Sequence, residues 1–328
     1  MAANGKILVT GATGFIGSVL TRQLVADGAD VRIFRREDSS LDLLGNVAED
    51  VEHAVGDLIY ARSLYKAMTD VDRVFHLAGM VSFARRDREA LRRVNVDGTA
   101  NVVNAALKAN VRRVVHTSSI AALGRPVAAD TLIDETTEWR DAGSRSAYAK
   151  SKRQAEMEVH RGIAEGLDAD LVNPSLVFGV GGPDTNTRRI VNAIRHERLP
   201  AVPPGGTNVV DVADVAAGHR RAMADGESGR RYLLGGENLS WARIAELLAD
   251  AFGVDPPSHT APSFLLKTGA VVAEAVAFLT RTRPVLTRDT ARTAARTDRY
   301  DNTRARTELG CSFRPFADTA RWIAEALV

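Results

Sequence analysis

Short apolar runs alternate in the first half of the chain with stretches whose apolar residues recur every three or four positions. The runs at 7–9, 31–34, 51–55, 73–77, 113–117 and 170–172 have the length and composition of buried parallel strands. Helical spacing fills the intervals, for example over 15–27, 61–68, 88–109 and 147–166. Strand and helix in steady alternation predict right-handed βαβ crossovers and an α/β, doubly wound parallel sheet. After Gly179 the rhythm changes. Gly181-Gly182-Pro183-Asp184 predicts a loop, 188–196 a helix, and 240–252 a further helix with Ser240 as its N-cap. There is no internal repeat or low-complexity tract.

The first strand breaks at Gly11, and a helix begins at Phe15. The turn between them, Gly11-Ala12-Thr13-Gly14-Phe15-Ile16-Gly17, spaces its glycines as Gly-x-x-Gly-x-x-Gly. A strand turning sharply into a helix aims free N–H groups and the positive helix end at whatever lies over the turn. Glycines there let a pyrophosphate and the strand approach, so the turn predicts a dinucleotide site rather than a purely structural turn. The second strand then ends in Arg35-Arg36, with no acid before Glu37. In this fold an acid at that point binds a ribose 2′-hydroxyl, whereas arginine holds a 2′-phosphate. The expected cofactor is therefore NADP(H), with NAD(H) the alternative; two solvated surface arginines are the bland reading.

Asp57 closes the third strand, as an acceptor for an adenine amino group or as a helix cap. Ala78 and Gly79 end the fourth strand in small residues that let a cofactor close in. His76 is expected to be a packed strand histidine rather than a catalyst. Asn95, three residues before the helix-weakening Gly98, either packs beside the site or faces solvent.

The chemical residues come next. The fifth strand ends at Thr117, followed by Ser118-Ser119; Tyr148 and Lys152 stand four apart on a predicted helix and share a face. A free tyrosine, with a pKa of roughly 10, is a poor base at neutral pH. A neighbouring ammonium and an oxidised nicotinamide would lower it. Ser119 would hold the substrate oxygen, Tyr148 would exchange its proton, and hydride would pass to or from the nicotinamide.

These motifs resemble the extended short-chain dehydrogenase/reductase superfamily and its NAD-dependent epimerase/dehydratase family. The likeness rests on the glycine turn, Asp57-Leu58, His76-Leu77-Ala78-Gly79, Asn95-x-x-Gly98-Thr99, Ser118-Ser119 and Tyr148-x-x-x-Lys152. It continues through Asn173-Pro174-Ser175-Leu176-Val177-Phe178-Gly179 and the closing segment 301–310. Dihydroflavonol-4-reductase-like and 3β-hydroxysteroid-dehydrogenase-like members resemble it best. The resemblance implies a Rossmann domain over 1–178, returning at about 205–236, and a substrate-binding lobe from 179–204 and 237–328. It implies a Ser119, Tyr148, Lys152 triad, with Lys152 also bonding the nicotinamide ribose. The implied cofactor contacts are Gly11, Thr13, Gly14, Phe15, Ile16, Gly17, Arg35, Asp57, Leu58, Leu77, Ala78, Gly79, Asn95, Thr117, Tyr148, Lys152, Pro174, Ser175, Leu176 and Val177. It also suggests a homodimer built on helices 88–109 and 147–166. Arg35, and Leu123-Gly124 where many sugar-nucleotide epimerases have Tyr-Gly, count against a sugar-nucleotide enzyme.

Composition narrows the partners. The formal net charge of the 328-residue chain is +2, which gives no electrostatic case for nucleic acid. One cysteine, Cys311, fits a reducing cytoplasm, and the first strand follows Met1 too closely for a signal peptide. No histidine or cysteine pair has metal-ligand spacing, so no metal is expected. The apolar stretch 264–279 is too short and too interrupted, by Lys267 and Glu274, to span a bilayer. It is a lid packed on the core, an apolar mouth for a lipid-like substrate, or a membrane-touching surface. The leading expectation is a carbonyl reductase or alcohol dehydrogenase acting on a small molecule. Its rivals are a redox-neutral epimerase or dehydratase, and a non-catalytic dinucleotide binder.

Overall fold

The computed structural model describes residues 5–126, 131–140, 146–182, 185–280 and 287–327. The first four residues, Pro183, Asp184 and the side chains of Lys267 and 275–280 lie outside the described residues.

The chain opens with β1 (Lys6–Thr10), α1 (Phe15–Ala26), β2 (Val31–Arg35), β3 (Glu52–Val55), α2 (Ala61–Ala67) and β4 (Val71–His76). Then come α3 (Arg88–Leu91), α4 (Gly98–Lys108), β5 (Arg113–Thr117), α5 (Ala147–Ala164), β6 (Ala169–Pro174), β7 (Leu176–Phe178) and α6 (Asn186–Arg195). They are followed by β8 (Ala201–Val202), β9 (Gly206–Asp211), α7 (Val212–Asp225), β10 (Arg231–Leu234), β11 (Glu237–Ser240) and α8 (Trp241–Phe252). The last are β12 (His259–Thr260), α9 (Ser263–Thr280), α10 (Arg288–Ala294), α11 (Thr303–Glu308) and α12 (Phe316–Leu327).

Seven strands make one sheet in the order β10-β6-β5-β4-β1-β2-β3, and every neighbouring pair is parallel. The winding reverses between β1 and β4, so a crevice opens there at the carboxyl ends of the strands. Both faces are covered, which is why strands such as β1 carry continuous apolar runs. Leu20 and Leu24 of α1 pack with Val215 and Met223 of α7 on one face. Leu64 of α2, Val102 and Val103 of α4 and Val159 of α5 fill the other.

The six expected strands are present, each within two residues of its predicted bounds, and β10 adds a seventh. The predicted helix 88–109 is interrupted. Between α3 and α4 the turn Arg92–Asp97 widens to π-helical hydrogen bonding. Such a bulge rotates side chains out of the 3.6-residue register, and it occurs often at functional sites.

A smaller sheet, β11-β9-β7, stands beside the strand ends, with β7 and β9 parallel and β9 and β11 antiparallel. A separate apolar cluster forms behind it from Phe178, Val191, Val209, Ile244, Leu248, Phe316 and Ile323. Ser240 caps α8 as its sequence predicts, its Oγ accepting from Arg243 N at 3.1 Å. Phe264, Leu265, Val271 and Val272 of α9 are exposed, and their spacing places them on one face. Among the described residues no helix is long and apolar enough to cross a membrane.

Candidate active site

The glycine turn sits at the reversal point. Gly11 has φ +74°, and a Cβ there would stand 2.6 Å from Ala78 N. A Cβ on Gly17 would lie 2.1 Å from Gly11 O. These two glycines are therefore required by the chain's own packing. Gly14 differs: it is exposed, and its Cβ would meet only Gly11 O, at 3.2 Å. It is the N-cap of α1 and supplies no side-chain cap, and the first turn carries no acid. The α1 N-terminus thus keeps N–H groups and a positive end facing the crevice, a cradle that fits a pyrophosphate. Thr13, Phe15 and Ile16 are partly buried around it.

Arg35 ends β2. Its Nε donates to His53 Nδ1 at 2.9 Å, and its Nη1 donates to the Arg36 and Glu37 carbonyls at 3.1 and 3.3 Å. Among the described residues no carboxylate pairs with the guanidinium, so the corner fits an added phosphate. Asp57 does not cap α2. Tyr60 holds the N-cap position, and Asp57 Oδ1 instead accepts from Ile59 N at 3.1 Å, closing a local turn. Leu58 is buried against Gly98 in the core, so only its backbone can face a ligand.

Beyond β4, Leu77 N donates to Thr10 O at 3.1 Å and Ala78 N to Thr10 Oγ1 at 3.3 Å, which holds Leu77-Ala78-Gly79 beside the glycine turn. Asn95 is 1% exposed, so it does not face solvent. The π-helical turn aims it inward. Its Oδ1 accepts from Met80 N at 2.7 Å, and its Nδ2 donates to Met80 O and to Ser151 Oγ, both at 2.9 Å. Asn95 therefore clamps the segment after Gly79 onto α5. His76 is the packed strand histidine its pattern predicts, set between Thr10 Oγ1 at 2.7 Å and Thr99 Oγ1 at 3.0 Å. Burial, helped by the Lys152 charge, pushes its pKa down to about 3.

Ser119, Tyr148 and Lys152 converge at the end of β5. Ser119 Oγ accepts from Ala121 N at 3.1 Å and lies close enough to the Tyr148 phenol to favour its charged form. The Tyr148 ring meets Phe83 edge-on, with 5.7 Å between centroids. Lys152 is 6% exposed, and its Nζ donates to Thr117 O at 2.6 Å. Burial pushes Lys152 down to about 8, while the Glu156 charge pulls it up. Tyr148 does not show the lowered pKa expected of it. In the protein's own surroundings burial dominates and raises the phenol, with Ser119 pulling the other way.

Glu156, missing from the sequence-based set, lies behind this group with 0% exposure. Its Oε1 accepts from Ser118 Oγ at 2.6 Å and Asn173 Nδ2 at 2.8 Å. Its Oε2 faces Arg153 at 3.1 Å and Arg231 at 3.0 Å. Asn173 Nδ2 also donates to Ser119 O at 3.0 Å, which ties the carboxylate to the serine's backbone. Pro174 and Ser175 follow, buried, and Ser175 Oγ has no partner among the described residues. Leu176 and Val177 begin the small sheet beside them. No group of three or more acidic, histidine or cysteine side chains is placed to hold a metal among the described residues.

The comparisons agree with this architecture. The NAD dependent epimerase/dehydratase family matches residues 7–235. A Synechocystis sp. protein carrying a provisional dihydroflavonol 4-reductase name is 36% identical over 324 residues, covering 96% of this chain and 93% of that one. Sterol demethylase protein B of Methylococcus capsulatus is 35% identical over 97% of this chain and 98% of its own. The crystal structure of gox2253 superposes with a TM-score of 0.86 at 34% identity, over 98% of this chain and 97% of that one. With its seven-stranded nucleotide fold and reductase-named relatives, the chain belongs to the NAD dependent epimerase/dehydratase family and is an NAD(P)-dependent enzyme of the extended short-chain dehydrogenase/reductase type.

Proposed function

We propose that the protein is an NADP(H)-dependent carbonyl reductase or alcohol dehydrogenase in which Ser119, Tyr148 and Lys152 act together. The observation that carries this reading is the convergence of the three side chains at the end of β5, with Ser119 beside the Tyr148 phenol and Lys152 Nζ held on Thr117 O at 2.6 Å. A bound nicotinamide supplies or accepts the hydride. Ser119 Oγ and Tyr148 Oη hold the substrate's carbonyl oxygen, and Tyr148 gives that oxygen a proton. Burial keeps the phenol protonated, which suits a proton donor and favours the reductive direction. Lys152 places a buried positive charge on the same helix face and favours the phenolate left after transfer.

Arg35 supports NADP(H) over NAD(H). The substrate proposed is an apolar carbonyl compound. Phe83 lines the tyrosine, α9 exposes an apolar stripe, and one relative is named for sterol demethylation. Purified enzyme is given NADPH with aldehydes, dihydroflavonols and ketosteroids while the reduced nicotinamide absorbance is followed. One NADPH lost per product formed is expected. Product formed with catalytic cofactor and no net absorbance change overturns the reading in favour of a redox-neutral epimerase or dehydratase. Reduced cofactor that binds but is never consumed, with no product, overturns it in favour of a non-catalytic binder.

A further inference from the structure

We propose that His53 is a specificity-positioning residue: it holds the Arg35 guanidinium in place for a 2′-phosphate without neutralising it. This rests on the NADP(H) reading above. β2 and β3 pair in parallel with Ile33 opposite His53, so Arg35, two residues beyond Ile33, shares a face with His53 as its diagonal neighbour. There Arg35 Nε donates to His53 Nδ1 at 2.9 Å. The other ring nitrogen lies 2.8 Å from Ala48 O, a group that only accepts, so Nε2 must carry the proton. The backbone carbonyl thereby fixes the one neutral tautomer whose Nδ1 lone pair is available to the arginine. The Arg36 and Glu37 carbonyls take Nη1, and among the described residues Nη2 is left without a partner.

A flexible arginine at a strand end must otherwise spend rotamer freedom when it binds. His53 and the two carbonyls spend it in advance. A carboxylate in the same place would orient the guanidinium equally well but would compete with the phosphate for its charge. A neutral acceptor orients and leaves the full positive charge for the ligand. The imidazole touches neither phosphate nor reacting atoms, so its influence falls on cofactor choice and not on turnover.

Dissociation constants of NADPH, NADH and 2′,5′-ADP are measured by titration on wild type, His53→Ala, His53→Asn and Arg35→Ala, each checked for an unchanged thermal midpoint. Losing a hydrogen bond to a charged group predicts about tenfold weaker NADPH and 2′,5′-ADP binding in His53→Ala, with NADH within twofold of wild type. His53→Asn, whose amide oxygen can replace Nδ1, recovers most of the loss. If His53→Ala keeps the wild-type NADPH to NADH ratio while Arg35→Ala destroys it, the role of His53 is overturned and the NADP(H) reading stands. If His53→Asn behaves like His53→Ala, the acceptor role is overturned. A wild type that does not distinguish NADPH from NADH overturns the NADP(H) reading and the inference with it.

Discussion

Two cations stand near the carboxyl ends of the strands and are held in opposite ways. Arg35 is partly exposed at the end of β2, and its side-chain partners are a neutral imidazole and two backbone carbonyls. Lys152 is buried below the end of β5, where its Nζ meets a carbonyl while a carboxylate, Glu156, stands one turn further along α5. The difference follows from the two head groups. A guanidinium keeps its proton in any protein setting and needs only to be aimed. A buried ammonium is readily stripped of its proton, and without an acid behind it Lys152 would fall below its value of about 8. The cofactor corner therefore spares its charge for a ligand, whereas the chemical corner spends a carboxylate to keep its charge at all.

That contrast breaks most visibly at the reacting end. Tyr148→Phe keeps the ring against Phe83 and removes the proton, so turnover should fall by ~10²–10⁴-fold with the dissociation constant for NADPH unchanged. Lys152→Ala should lose turnover similarly and weaken cofactor binding as well. A Tyr148→Phe enzyme that retains most of its kcat would place the proton elsewhere.

At the other corner, Arg35→Asp replaces the aimed cation with a charge that repels phosphate. Fluorescence titration should show NADPH binding weakened by roughly a hundredfold, with NADH equal or preferred. Unchanged preference would return Arg35 to the status of an ordinary surface residue.

The smallest effect sharpens the comparison most. Glu156→Gln keeps a hydrogen-bonding side chain but deletes the charge that raises the Lys152 pKa. With that support gone, Lys152 loses its proton at lower pH, so the alkaline limb of kcat/KM should move down from about 8 toward neutrality. The groups that face this pair are His76 and His116 from β4 and β5, Arg153 from α5 and Arg231 from β10. The two histidines are neutral in this range, because burial drives both well below their ordinary value. An enzyme that merely loses thermal stability, with its limb unmoved, would show that Glu156 packs the site and does not tune it.

Much of this was legible from residue order. The glycine turn, the strand ends and Tyr148-x-x-x-Lys152 are local patterns, and a helix fixes its i, i+4 neighbours without help from the rest of the chain. The N-cap at Ser240 was legible for the same reason. What escaped depends on strand register or on contacts between distant segments. His53 meets Arg35 only because β3 pairs with β2, and Arg231 reaches Glu156 only because β10 lands beside β6. Glu156 did leave a signal, since an acid four residues beyond a buried lysine shares its face. The inward turn of Asn95 stayed open against a solvent-facing reading, because the π-helical turn at Arg92–Asp97 departs from the spacing on which helix patterns rest. Asp57 failed as a cap because the helix begins after Tyr60, later than its position suggests.

The late arrival of β10 has a consequence during synthesis. Six strands of the large sheet are complete once residue 174 has been made, but β6, already paired with β5 on one side, finds its other neighbour only in Arg231 to Leu234. The intervening residues 175–230 take roughly 3–11 s to translate at ordinary rates. Through that interval β6 is an open sheet edge, with unpaired backbone groups beside apolar side chains, the arrangement that invites pairing with a foreign strand. The same wait leaves Glu156 without the arginine from β10. A nascent chain stalled before residue 231 would therefore be a client for chaperones, with its nucleotide half nearly complete and its sheet still unclosed.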